Sequence, residues 1–99
     1  MDECVKNIES SLYADCLNKT PKERIEDIAN VLGGSAELIG KSEKYIRLCI
    51  RDIPRKDSGY YPPVILVLEG CEITESSVGL GVLQQYEKAL KKCGYIIKN

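Results

Sequence analysis

The stretch 62–70, PPVILVLEG, constrains the fold more than any other part of the chain. Val64–Leu68 is an unbroken run of five apolar residues, three of them β-branched, bounded by two prolines before it and Gly70 after it. A strand buried on both faces reads this way. Thr74, Glu75, Ser76 and Ser77 follow, offering hydroxyl caps and acidic charge where a helix needs both. Val78, Val82, Tyr86, Ala89, Leu90 and Cys93 then recur at helical spacing, and Gly94 stands where that helix should stop. The pattern predicts a strand over 64–68, a helix over about 76–93 and a strand over about 95–98. Together they make a βαβ crossover with parallel outer strands.

Upstream, Val5, Ile8, Leu12 and Cys16 predict a helix over about 3–17. Thr20-Pro21-Lys22-Glu23 is a capping box with proline in the first helical position, starting a helix over 21–32 that ends at Gly33-Gly34. Residues 35–41 read as a short connector. Segment 42–53 satisfies the helix template through Ile46, Cys49, Ile50 and Ile53, and the strand template through Ile46, Leu48 and Ile50. Its β-branched content and the need of 64–68 for a partner favour a strand over about 44–52. The expected fold is α+β in a single domain, 1–99: two N-terminal helices packed on a small three-stranded sheet, with a C-terminal βαβ unit. So small a sheet leaves edges through which a homodimer can form.

A net charge of −1 gives nucleic acid or anionic lipid no long-range attraction, and no apolar run is long enough to span a membrane. The chain has no histidine, and its five cysteines show no C-x-x-C spacing, so neither a metal site nor a cofactor is expected. Isolated cysteines on apolar faces read as buried, reduced thiols, and hence as a cytoplasmic protein. No catalytic motif stands out, so an enzyme is not expected.

Two near-motifs need weighing. SAELIGKS (35–42) resembles the end of a phosphate-binding loop, but the glycine spacing is wrong and a helix, not a strand, is expected before it. Segment 24–52 reads as a helix-turn-helix only if 42–52 is a helix; a DNA-binding regulator is the alternative that follows. The stronger candidate surface is the loop 55–63. Arg55, Lys56, Tyr60 and Tyr61 are interface-prone residue types there, suited to a protein partner.

VILVLEG, the acidic residue and serines Glu75, Ser76 and Ser77, and then Leu83, Tyr86 and Gly94 resemble the middle of STAS domains, the family that includes anti-sigma-factor antagonists. That resemblance implies a regulatory module in which Ser76 and Ser77 open a helix and Ser77 is a phosphorylation site. The same C-terminal half is faintly similar to barstar-like immunity proteins, which implies an inhibitor. Both resemblances and the loop lead to one expectation: a small, non-catalytic protein-binding or regulatory module.

Overall fold

The computed structural model describes residues 12–78 and 83–98. Residues 12–17 form helix α1, followed by α2 (Pro21–Leu32). Then come β1 (Ser35–Lys41), β2 (Ile46–Arg51), β3 (Val64–Glu69) and β4 (Glu72–Ser76), a short α3 (Glu87–Lys92) and β5 (Ile96–Ile97). The five strands make one sheet in sequence order. β1 to β4 form an antiparallel meander, and β5 lies parallel to β4 after the crossover through α3.

α2 starts on Thr20, whose Oγ1 accepts from the Glu23 amide at 3.2 Å while the Glu23 carboxylate accepts from the Thr20 amide at 3.4 Å. It buries Ile28, Ala29 and Leu32. These meet the inward row of the sheet: Ile46, Leu48 and Ile50 from β2, Val64, Leu66 and Leu68 from β3, and Ile73 from β4. Leu83, Leu90 and Tyr95 complete that core from the C-terminal side. Each such aliphatic side chain contributes about 1.5–3 kcal/mol on burial.

The structure corrects the three-stranded expectation in three places. Residues 35–41 are not a connector but the edge strand β1, pairing from Ser35↔Arg51 to Lys41↔Ile46. A bulge between Leu38 and Gly40 breaks its alternation, which is why no strand period shows in the sequence. Residues 72–76 are not the approach to a helix but β4, joined to β3 by a two-residue turn, Gly70-Cys71, with Gly70 at φ 60°. The parallel pair is therefore β4 and β5; β3, the 64–68 strand, is antiparallel to β4. Nor does a helix start at 76: helical residues in that region are 83–84 and Glu87–Lys92. The expected helix over residues 79–82, and that over 3–11, lie outside the described residues.

The thiol expectation is also corrected. Cys16 at the end of α1 and Cys71 in the β3–β4 turn form a disulfide, both residues fully buried, while Cys49 and Cys93 remain free. No helix among the described residues is long and apolar enough to cross a membrane.

A polar cluster ties α2 to the C-terminal segment. The fully buried Tyr95 donates its hydroxyl to Asp27 Oδ2 at 2.8 Å, and Lys19 Nζ donates to the same oxygen at 2.6 Å. Burial, and then the bond to Asp27, push the Tyr95 phenol well above its ordinary 10.0. The bond to Asp27 raises Lys19 against a smaller opposing effect of burial. Both raised groups stabilise the fold fully below their unfolded values, 10.0 and 10.5, and lose that contribution as pH climbs through the folded ones. Tyr95→Phe is expected to cost about 1–2 kcal/mol at neutral pH and to flatten the loss of stability above pH 10.0. Urea midpoints of both proteins across the alkaline range check this; parallel pH profiles would count against the cluster.

Candidate protein-binding surface

The β2–β3 connection is a built hairpin, not a slack loop. Tyr61 donates its amide to Ile53 O at 2.9 Å and Arg55 donates its amide to Gly59 O at 2.8 Å, with Pro54 bridged to Tyr60. At the tip, Asp57 Oδ1 accepts from the Gly59 amide at 3.2 Å and Oδ2 accepts from Arg55 at 2.9 Å. Asp-Ser-Gly fits this geometry because the aspartate closes the turn while Ser58 takes φ 74°. The exposed Arg55–Asp57 ion pair adds little energy, but with the turn it fixes where the guanidinium lies.

Arg55 stands over the Tyr61 ring, 5.6 Å from its centre. Tyr61 packs its inner side on the core, whereas Tyr60, its neighbour on the other side of the ribbon, is 64% exposed. Beside the hairpin lies a cleft of about 400 Å³ lined by Pro54, Lys56, Tyr61, Gln85 and Tyr86. Burial, then proximity to Tyr61, raises the Tyr86 phenol, so the Tyr86 hydroxyl is a neutral donor at physiological pH. The structure thus gathers Arg55, Lys56 and Tyr61 on one side and leaves Tyr60 projecting alone. Gln85 and Tyr86 were missed by the sequence reading: Tyr86 falls in an apolar helical period and reads as core, and only the crossover brings it to the hairpin.

Ser76 and Ser77 are placed differently from the expectation. Ser76 ends β4 and its Oγ accepts from the Val78 amide at 3.2 Å. Ser77 continues the pairing with β3: its amide donates to Ile65 O at 2.9 Å and its Oγ accepts from the Ile65 amide at 2.8 Å. Among the described residues neither serine caps a helix. The pairing does put Ser77 at the hairpin's end of the sheet.

The two near-motifs lose their scaffolds. A phosphate-binding loop requires a loop at 35–42, where β1 stands, and a helix-turn-helix requires a second helix where β2 stands. Among the described residues no group of three or more His, Cys, Asp or Glu side chains is arranged to hold a metal ion. No family model, no curated protein and no solved structure matches this chain.

Proposed function

We propose that the protein is a small, non-catalytic protein-binding module whose contact surface is the hairpin tip, with Tyr60, Tyr61, Arg55 and Lys56 as its binding residues. One observation carries the reading: a backbone-bonded hairpin holds a tyrosine 64% exposed next to an arginine fixed by its own ion pair and turn. An exposed aromatic on a rigid support loses little conformational entropy when a partner covers it, which is what interface anchors require. The cleft between Tyr61 and Tyr86 offers a partner side chain an apolar wall with two phenol donors. In a regulatory form of this reading, modification of Ser77 acts on the same surface, because its hydroxyl holds the Ile65 amide just past Pro62-Pro63.

Wild type and the Arg55→Ala/Tyr60→Ala/Tyr61→Ala variant, immobilised side by side in native lysate, test the proposal. A partner held by wild type and lost by the variant is the expected result, with an affinity loss of about 2 kcal/mol or more for a buried anchor. If everything captured binds both baits equally, the hairpin is not the contact.

A further inference from the structure

The described helices pack on one face of the sheet, and the opposite face carries a pattern that fits its own copy. On that face Cys49 lies beside Ile65, and one step along, Arg47, Val67 and Glu75 stand in a row across β2, β3 and β4. Ser77 continues the first row beyond Ile65. Ile65 is 41% exposed at the centre of the sheet, and Ile96, opposite Glu72 on β5, is 39% exposed. Arg47 and Glu75 are held apart by Val67, and among the described residues neither joins a salt bridge.

We infer that two copies of this chain stack face to face through the side of the sheet opposite the described helices, about a two-fold axis running along β3. Such an axis lays β2 of one copy over β4 of the other. Arg47 then faces Glu75 of the second copy, and the reverse, so a row that has no salt bridge among the described residues pairs twice across the interface. Ile65 meets Ile65 on the axis, with the nearly buried Val67 beside it, giving a small apolar centre. Cys49 lies over Ser77, and β5 passes over the partner's β1. Sheets stacked this way sit about 10 Å apart with strands roughly 30° from alignment, which fits side chains of this size. Edge pairing through β1 is the less suited route, because the bulge at Leu38/Gly40 and the terminal Lys41 disturb that edge. One contact opposes the stack: Glu69, on β3 at the rim, meets its own copy.

The face is small for an obligate dimer, so association is expected to be reversible and visible by sedimentation equilibrium of the full chain at high protein concentration. Arg47→Glu and Glu75→Arg are each expected to weaken the dimer by about tenfold or more, and the double swap to restore it, since only the swap returns opposite charges to facing positions. Ile65→Asp should abolish it, and Glu69→Gln should tighten it. Far-UV circular dichroism confirms that each variant is folded; Ile65 is exposed enough for its change to leave the core intact. A wild type that stays monomeric throughout overturns the proposal and leaves the face to another partner. So does a dimer indifferent to Ile65→Asp, or charge variants that are not rescued by the swap. Failure here does not touch the hairpin reading, whose residues lie off this face.

Discussion

Loss of the Cys16–Cys71 bond is expected to lower the unfolding free energy by about 4 kcal/mol. The bond closes a sequence separation of 55 residues, and in the chain-entropy account a loop of that length restrains the unfolded chain by roughly that amount. Against a typical total of about 5–15 kcal/mol for a domain, this is a large share. It corresponds to a fall in melting temperature on the order of 20 °C for about a hundred residues. The bond joins the end of α1 to the β3–β4 turn, so its loss also frees the first helix from the sheet. Urea unfolding of the oxidised protein, the reduced protein and Cys16→Ala/Cys71→Ala checks the figure. Reduced protein and variant should agree, because both sulfurs are fully buried and reduction leaves two thiols in an apolar site. An unchanged urea midpoint on reduction would remove the bond from the account of stability. For Cys16 and Cys71 the bond is the reverse of the reduced-thiol expectation.

What was legible in the sequence is what is encoded locally. α2 could be read because its cap, its proline and its closing glycine all lie within its own span, and β3 because five apolar residues between prolines and a glycine suit little else. β1 and β4 were hidden for one shared reason. Each carries a bulge, at Leu38/Gly40 and at Val67/Leu68 against β4, and a bulge shifts the alternation by one residue partway along the strand. β4 in addition has only Ile73 as a strong apolar residue, and its flanking Glu, Thr and Ser are the same types that cap helices. The Gly70-Cys71 turn was the available signal, since a two-residue connection led by glycine favours a hairpin. The disulfide was out of reach, because its partners are neighbours only once β3 and β4 are folded back on α1. At the candidate binding surface, the hairpin residues were visible as types in a loop, but the Tyr86 wall of the cleft comes from across the crossover and has no local mark.

Gly94→Ala is expected to destabilise the protein by about 3 kcal/mol or more, the sum of backbone strain and overlap. Gly94 ends the α3 turn at φ 94°, a conformation that a side chain disfavours. Its surroundings are also closed. A Cβ there would lie 2.3 Å from the Leu12 carbonyl oxygen and 2.9 Å from Cys16 Cβ, so α1 itself occupies the space. Gly33 is the internal control. It has a similar φ of 80°, but its added Cβ would meet only the Pro54 ring, at 3.3 Å, which can give way. Gly33→Ala should therefore cost only the strain, about 1–2 kcal/mol. The excess at Gly94 measures how firmly α1 is pressed against the C-terminal segment, and the Cys16–Cys71 bond is what fixes α1 there. In the reduced protein α1 has room to move, so the Gly94→Ala cost should shrink towards the Gly33→Ala cost, while the latter stays constant. Residues in contact are expected to couple in this way. Urea titrations of both variants in oxidised and reduced form provide the cycle. Equal costs for the two glycines, or a Gly94→Ala cost that ignores reduction, would show that α1 does not rest on Gly94 in the way the structure places it.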